Sequence, residues 1–145
     1  MDATTEALRH LDEEQCWERL AGQELGRIVT RLADRVDIFP VNYAVDGRSL
    51  VFRTAEGSKL FELTVHDEVL FEVDDHTDLD AWSVVVRGRA RVIVIEDEVL
   101  EADALPLKPW APTVKNNYVR IEPTSVSGRA FLRGPEPERE GVPNI

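Results

Sequence analysis

The sequence predicts a mainly β fold, an antiparallel β-barrel of six or seven strands with two or three short helices. Runs rich in Val, Ile and Phe recur along the chain, and the longest covers residues 82–95. Two such runs flank Asp46 and Gly47, a dipeptide typical of the tight turn in a β-hairpin. The chain has 145 residues, of which 43% are hydrophobic, so it has the size of one domain and enough apolar residues for a core.

The N-terminal part of the chain carries the pattern of a capped helix. Asp12 can cap its start, and Gln15, three positions later, can complete a capping box. The helix is expected to end at Gly22 or Gly26, because glycine is favoured just after a helix. Its predicted apolar stripe consists of Cys16, Trp17 and Leu20.

The remaining elements are predicted from alternating apolar and polar residues and from the turn residues between them. Pro40 lacks a backbone N–H and is therefore expected at a sheet edge or a bulge, and Gly88 inside the longest strand predicts a bulge or sharp bend. Helices are predicted over residues 57–66 and 97–104, and an acidic loop over residues 74–80. Strands are predicted over residues 27–32, 36–45, 49–54, 68–73, 82–95, 118–123 and 126–131.

One domain is predicted over residues 12–133, preceded by an N-terminal extension over residues 1–11. Residues 134–145 are rich in Pro, Glu and Gly and are predicted to form a flexible tail. The start of the chain is acidic and lacks the apolar run of a signal peptide, and no apolar stretch is long enough to span a bilayer. These features lead us to expect a soluble, cytoplasmic protein.

The composition excludes several classes of protein and of site. With 17 Lys and Arg against 28 Asp and Glu, the net charge of −11 argues against binding to nucleic acid or to an anionic membrane surface. Cys16 is the only cysteine, so neither an internal disulfide nor a cysteine-based zinc site is expected. The histidines are scattered, and the acidic loop lacks the glycine and glutamate of a calcium loop, so no metal site is predicted.

The segment over residues 53–59 is the best candidate for binding chemistry. It joins the end of a predicted strand to the start of a predicted helix, where unpaired backbone N–H groups favour an anion. Two cations, Arg53 and Lys59, and two hydroxyls, Thr54 and Ser58, could surround a phosphate there. A surface turn whose cations pair with neighbouring glutamates explains the same residues, so the pattern leaves both interpretations open.

Four segments, taken in order, resemble the pyridoxamine 5'-phosphate oxidase-like family, and in particular its small flavin-binding members common in actinobacteria. The segments cover residues 37–43, 51–54, 57–59 and 82–88. The similarity extends over roughly residues 16–131, and the ordered set is more specific than any one segment. It implies a six-stranded split β-barrel of the FMN-binding type that forms a homodimer, with FMN in a groove at each end of the dimer interface.

Position by position, the resemblance assigns cofactor-binding roles to ten residues. The phosphate-binding role falls on Arg53, Thr54, Ser58 and Lys59. The strand beside the isoalloxazine, which acts largely through its backbone, corresponds to Pro40, Val41, Asn42 and Tyr43. A further polar contact to the flavin falls on Ser83, with Trp82 beside it.

The sequence also departs from the family's pattern. Members that oxidise pyridoxamine phosphate carry an Arg-x-His type pattern near the C-terminus, whereas no histidine follows His76 here. Oxidation of vitamin B6 is therefore not expected. Trp110 and Tyr118 are weaker candidates for lining a substrate pocket, because packing under the last strands explains them better. Catalytic residues stay unassigned, since no side chain is positioned by the sequence as an acid or base.

The leading hypothesis is an FMN-dependent oxidoreductase acting on an unidentified small molecule, in which the cofactor carries the redox chemistry. One alternative keeps the fold but binds a deazaflavin coenzyme, whose acidic tail suits an acidic protein less well. Another is a module that binds flavin or haem without turnover. A dimer with an empty groove is the last alternative, because a fold alone does not establish an activity.

Overall fold

The computed structural model describes residues 8–55, 62–63, 65–107 and 117–132. The helices whose bounds the structure gives are α1 (Glu13–Ala21) and α2 (Glu96–Asp103), and residues 62–63 and 65 are also helical. The strands are β1 (Leu8–Leu11), β2 (Leu25–Leu32), β3 (Arg35–Asp46), β4 (Ser49–Thr54), β5 (Glu68–His76), β6 (Asp80–Val92) and β7 (Asn117–Leu132). The predicted mainly β fold with short helices is confirmed.

The strands form one antiparallel sheet that closes into a barrel. Its order is β1-β7-β4-β3-β2-β5-β6, and an additional pairing between β6 and β7 closes the ring. The closed ring contains all strands except β1, which pairs with the C-terminal half of β7. This arrangement agrees with the predicted six-stranded antiparallel barrel. Strand β1 was not predicted, because only its pairing with a distant strand distinguishes so short a segment from coil.

Helix α1 has the predicted cap and packs on the barrel. Asp12 Oδ1 accepts a hydrogen bond from the Gln15 backbone N–H at 2.8 Å, and Gln15 Oε1 accepts one from the Asp12 N–H at 2.9 Å. Gly22 is the C-cap. The helix approaches β7 closely, since a Cβ at Gly128 would lie 2.8 Å from the Sγ of Cys16. As predicted, the buried residues of α1 are Cys16, Trp17 and Leu20.

Two apolar clusters stabilise the protein. The larger fills the barrel, and Phe52, Phe71 and Ile28 are among its fully buried side chains. The smaller lies outside the barrel wall and contacts residues of α2. Its buried members are Val51, Ile93, Ala102 and Tyr118. Tyr118 therefore has the packing role that the sequence favoured, while Trp110 lies outside the described residues.

The bend in β6 occurs at Gly88, as predicted. The register between β6 and β7 shifts between Arg87 and Gly88, and a Cβ at Gly88 would lie 2.5 Å from the backbone oxygen of Glu122. The shift leaves Thr124 as an extra residue beside Pro123, so the missing N–H of that proline falls at a bulge. The prediction of two strands over residues 118–123 and 126–131 was wrong: they form one continuous strand.

Two other predicted boundaries are corrected. The acidic loop is shorter than expected: residues 74–76 extend β5, residues 77–79 form the connection, and Asp80 begins β6. Strand β6 ends at Val92, short of the predicted residue 95. The helix predicted over residues 57–66 lies mostly outside the described residues, but residues 62–63 and 65 of it are helical as predicted.

Candidate functional site

Strands β3 and β4 separate where the sequence predicted a binding site. Their hairpin ladder starts at the Asp46–Ser49 pair and ends at the Tyr43–Phe52 pair. Continuing this register would place Asn42 opposite Arg53, but among the described residues β3 here pairs only with β2, and β4 only with β7. We call this opening, between residues 40–42 and residues 53–54, the fork. One backbone edge of β3 lies outside the described ladders there, where a ligand can approach it.

Arg53 forms one side of the fork and lies against an aromatic ring. It is opposite Tyr118 in the β4–β7 ladder, and its guanidinium carbon is 5.4 Å from the centroid of that ring. The Tyr118 hydroxyl donates a hydrogen bond of 2.5 Å to Asp103 Oδ1 at the end of α2. Burial raises the pKa of Tyr118, and the hydrogen bond to Asp103 adds to the rise, so the phenol stays neutral near pH 7.

Thr54 lies on the opposite face of β4 from Arg53, because side chains alternate along a strand. It is buried like Phe52, and its hydroxyl donates to the backbone oxygen of Ala55 at 3.2 Å. Its partner in β7 is Asn117, whose Nδ2 is buried and has no acceptor among the described residues. A buried amide donor without an acceptor is one that a ligand oxygen would satisfy.

The β3 side of the fork exposes backbone more than reactive side chains. Pro40 is exposed, Val41 is buried in the barrel, and Asn42 donates from Nδ2 to the backbone oxygen of Glu24 at 3.3 Å. Tyr43 is also buried, and its hydroxyl donates to the backbone oxygen of Leu20. Burial raises the Tyr43 pKa, so this phenol is a packing group with a satisfied hydroxyl and not an acid for a ligand at the fork.

Ser58 and Lys59 lie outside the described residues, so their phosphate-binding role remains a prediction. Within the described part of the fork, positive charge comes from Arg53. Neither strand of the fork, over residues 40–43 and 52–55, carries a Cys, His, Asp or Glu side chain. The described fork therefore offers binding groups and no acid or base that titrates near neutrality.

Trp82 and Ser83 are distant from the fork within one chain. Asn42 pairs with Leu25 on β2, and Ser83 pairs with Asp74 on β5. Continuing the β2–β5 register two residues beyond the Arg27–Glu72 pair places Leu25 and Asp74 in the same row. Three strand spacings separate Asn42 from Ser83, or about 14 Å along the sheet.

The two neighbours on β6 also face opposite sides of the sheet. The Trp82 ring is buried in the core, with the guanidinium carbon of Arg19 at 5.5 Å from its centroid. Ser83 faces outward into a groove of about 310 Å³ that Val85 and Arg129 also line. Of the two, Ser83 can therefore contact a ligand on the outer face of the barrel. Both roles remain predictions.

The outer face of the sheet carries an apolar area, which we call the outer patch and define as Val29, Val36, Ile38 and Leu70. Ile38 pairs with Val29, and Val29 pairs with Leu70, so three of these side chains form one row across β3, β2 and β5. Val36 and Ile38 are 62% and 61% exposed, which is high for large apolar residues in a strand. A patch of this kind is typical of a surface that another protein covers.

An acidic pair lies next to the outer patch. Arg27 contacts Glu72 at 3.4 Å and Asp74 at 3.3 Å on the same face. Burial raises the pKa of Glu72 to about 7, and the neighbouring Asp74 carboxylate adds to this rise. The protonation of Glu72 therefore changes near physiological pH.

Metal sites and membrane-spanning helices are absent from the part of the chain that the structure describes. No group of three or more Cys, His, Asp and Glu side chains there could hold a metal ion. No helix there is long and apolar enough to cross a membrane.

The structure adds two residues near the fork that sequence reasoning did not select. Asn117 and Asp103 approach it only because β7 pairs with β4 and α2 packs beside β7. No local motif marks either residue. The sequence offered one signal, the polar and aromatic pair formed by Asn117 and Tyr118. This pair indicates a site only once β7 is known to be the pairing partner of β4.

The family and the relatives agree with the fold. Residues 12–130 match the family model described as pyridoxamine 5'-phosphate oxidase. A solved structure from Corynebacterium glutamicum, provisionally named a pyridoxamine 5'-phosphate oxidase, is 48% identical. It superposes with a TM-score of 0.83 and covers 94% of this chain and 99% of its own.

Two mycobacterial proteins are also similar. The FAD-binding protein from Mycobacterium smegmatis is 41% identical, with a TM-score of 0.76 over 86% of this chain and 98% of its own. An uncharacterised protein of Mycobacterium tuberculosis H37Rv is 46% identical over 95 residues, which is 66% of this chain and 86% of that protein. Flavin binding is thus a property of a similar protein with the same fold.

Proposed function

Because residues 12–130 match its model, the chain belongs to the pyridoxamine 5'-phosphate oxidase family, and we propose that it is a flavin-binding protein that exchanges electrons with a small molecule. The observation that carries the proposal is the fork. It combines a cationic side chain, Arg53, with a backbone edge of β3 that lies outside the described ladders. A cationic side chain can bind a phosphate, and an unpaired strand edge can form hydrogen bonds with a polar ring system.

The residues of the fork fit such a ligand. Arg53 would bind the phosphate through its planar set of N–H donors, together with the predicted Ser58 and Lys59. The β3 backbone over residues 40–42 would form hydrogen bonds with the polar edge of the ring, and the buried Asn117 amide supplies a further donor. When bound, the flavin supplies the hydride or electron transfer, while the protein binds and orients it.

FMN is the flavin that we propose, because the described fork presents one arginine and the predicted set suits a single terminal phosphate. FAD is the second candidate, since a relative at 41% identity is a FAD-binding protein. The substrate is a small molecule other than a B6 phosphate. This part of the proposal rests on the lack of any histidine after His76, where the B6-oxidising members carry one.

We further propose that two copies associate through the outer patch. Its exposed apolar side chains would be covered by the same face of the second copy, as in a two-fold symmetric interface. Such an arrangement would also give a role to Ser83, which lies too far around the barrel to reach the fork of its own chain. Each flavin site would then use the fork of one protomer and the outer face around Ser83 of the other.

Binding of the cofactor can be measured directly on the purified protein. The absorption spectrum of the protein as isolated should show flavin bands, and titration calorimetry should show binding of FMN or FAD. Arg53→Ala should raise the Kd for FMN about tenfold to a hundredfold through loss of charge-assisted hydrogen bonds. The matched control is Arg89→Ala, because Arg89 is exposed, pairs with Asp67 and lies on β6 away from the fork.

The proposal fails if no flavin binds to the wild-type protein. The assignment of the fork fails if Arg53→Ala and Arg89→Ala have the same effect on the Kd. Sedimentation at several protein concentrations tests the dimer separately from the cofactor.

A further inference from the structure

Arg53 is linked to α2 by a chain of contacts through Tyr118. Asp103 accepts the hydroxyl hydrogen bond of Tyr118, and the ring of Tyr118 lies under the Arg53 guanidinium. Tyr118 is 8% exposed and belongs to the small apolar cluster with Val51 and Ile93. The ring is therefore fixed on one side by packing and at its tip by a carboxylate.

This geometry suits an arginine that must bind an anion. A guanidinium stacked on an aromatic ring uses its face, whereas it binds phosphate through the N–H groups at its edge. The two interactions therefore do not compete for the same atoms. A carboxylate at position 118 would instead compete with the anion for the N–H groups of Arg53, and an aliphatic side chain would present no electron-rich face to the guanidinium.

Asp103 increases the effect of the ring. Its carboxylate accepts the phenol proton in a hydrogen bond, which moves electron density towards the oxygen and the ring. A more electron-rich ring attracts the guanidinium more strongly. The phenol itself stays neutral near pH 7, since burial and the Asp103 carboxylate both raise its pKa, so the ring adds no negative charge of its own beside Arg53.

The rest of α2 holds Asp103 in place. Glu98, five residues earlier in this helix, accepts hydrogen bonds from Arg91 at 2.8 and 2.6 Å and from Arg120 at 3.0 Å. The helix is thereby tied to β6 and β7 by charged contacts as well as by apolar packing. The carboxylate that orients Tyr118 thus belongs to an element that is fixed independently of Arg53.

We propose that Tyr118, held by Asp103, is a positioning residue that fixes the plane of Arg53 for binding of the flavin phosphate. This inference rests on the proposed function, because it assumes that Arg53 contacts that phosphate. The proposal gives a role to two residues, Tyr118 and Asp103, that need not touch the cofactor. It predicts that both affect binding of the flavin phosphate more than binding of the isoalloxazine.

The experiment compares the Kd values of FMN and riboflavin, which lacks the phosphate, in each variant. Tyr118→Leu removes the ring and should raise the Kd for FMN about three- to tenfold while the Kd for riboflavin changes less than about twofold. Tyr118→Phe keeps the ring and should retain most of the affinity for FMN. Asp103→Asn keeps the ring and a neutral, weaker acceptor for the Tyr118 hydroxyl, so its Kd for FMN should lie between those of the wild type and Tyr118→Phe. Ile93→Val is the matched control, because it loosens the same cluster while keeping the Tyr118 ring and its hydrogen bond to Asp103.

The outcomes separate this inference from the proposed function. Support requires that Tyr118→Leu lower the preference for FMN over riboflavin while Tyr118→Phe and Ile93→Val do not. If Arg53→Ala lowers this preference but Tyr118→Leu behaves like Ile93→Val, the positioning role is overturned and the flavin site remains. If Arg53→Ala leaves the preference unchanged, or the wild-type protein binds neither flavin, the proposed site fails and the positioning role fails with it.

Discussion

Arg120 connects three parts of the structure, and its replacement gives a prediction whose size follows from its contacts. Its Nε donates to Glu98 Oε2 at 3.0 Å, and its Nη1 donates to Asp46 Oδ2 at 3.0 Å and to Ser49 Oγ at 2.6 Å. The residue is only 8% exposed. It therefore joins α2 to the β3–β4 hairpin through a buried charge on β7.

The substitution Arg120→Met keeps the apolar stem and removes the charge and all three hydrogen bonds. Glu98 is 17% exposed and keeps Arg91 as a partner, while Asp46 is 38% exposed and can recover water. The loss should therefore be smaller than the cost of isolating a fully buried carboxylate, and we expect a decrease of about 3 kcal/mol in the free energy of unfolding. For a domain of this size, that corresponds to a Tm lower by about 6–12 °C.

Urea denaturation of Arg120→Met beside Arg91→Met is the measurement. Arg91 contacts the same Glu98 at a shorter distance, 2.6 Å, but its side chain is 46% exposed. We expect Arg91→Met to cost about 1 kcal/mol or less, because water replaces exposed ion pairs easily. If Arg91→Met costs as much as Arg120→Met, distance and not burial determines the strength of this network, and the reasoning is refuted.

The same network predicts an acid dependence. The hydrogen bond from Arg91 and the one from Arg120 hold the pKa of Glu98 below its ordinary value of 4.5. A carboxyl with a depressed pKa stabilises the fold above its unfolded pKa and loses that contribution as the pH falls through its folded pKa. Stability should therefore decline below about pH 4.5, and the decline should be shallower in Arg120→Met.

Two further substitutions probe the fold and its titration. Gly88→Ala should lower the free energy of unfolding by about 2–3 kcal/mol, because the new Cβ would meet the backbone oxygen of Glu122 at 2.5 Å. Gly22→Ala is the control: its Cβ would have contacts of 3.6 Å, so the free energy of unfolding should change by less than about 0.5 kcal/mol. Equal losses in the two variants would contradict the steric argument. The pKa of Glu72 is raised from 4.5 to about 7 in the folded protein, so between these pH values the folded state holds a proton that the unfolded state has lost. The free energy of unfolding of the wild type should therefore fall as the pH rises from about 4.5 to about 7. Glu72→Gln should flatten that part of the stability profile in dilute protein, and an unchanged profile would assign the titration to another group.

Local features of this fold could be predicted because they depend on neighbouring residues. The capping box needs only Asp12 and Gln15, and the hairpin turn needs only Asp46 and Gly47, which has a φ of 61°. Gly88 predicted a bulge because a glycine weakens the interior of a strand and is typical of a bend or a close backbone approach. In each case the residues that determine the structure lie within a few positions of one another.

The features that escaped prediction depend on pairing between distant strands. Strand β7 is continuous because its bulge at Thr124 matches the bend at Gly88 on β6, and the sequence around Pro123 alone indicates an interruption. The contact between Arg53 and Tyr118 requires the register of β4 with β7. The candidate site was therefore predicted as a list of residues, whereas the roles of Tyr118 and Asp103 required the assembled sheet.

The separation between Ser83 and the fork makes a further prediction about assembly. If each flavin contacts the fork of one protomer and the outer face of the other, the flavin binds the dimer more tightly than the monomer. By thermodynamic linkage, it must then strengthen the dimer by the same factor. The affinity for FMN should consequently fall when the protein is diluted below its dimer dissociation constant.

A charge placed in the outer patch tests this linkage without altering the fork. Leu70 lies two strands away from β3, and Leu70→Lys would oppose two like charges across a symmetric interface while adding no repulsion towards a phosphate. We expect a monomer in sedimentation and a Kd for FMN raised at least about tenfold. Val94→Lys is the control, because Val94 is 79% exposed and lies outside the outer patch. A monomeric Leu70→Lys variant that binds FMN as tightly as the wild type would show that one chain forms the whole site, and Ser83 would then have no part in it.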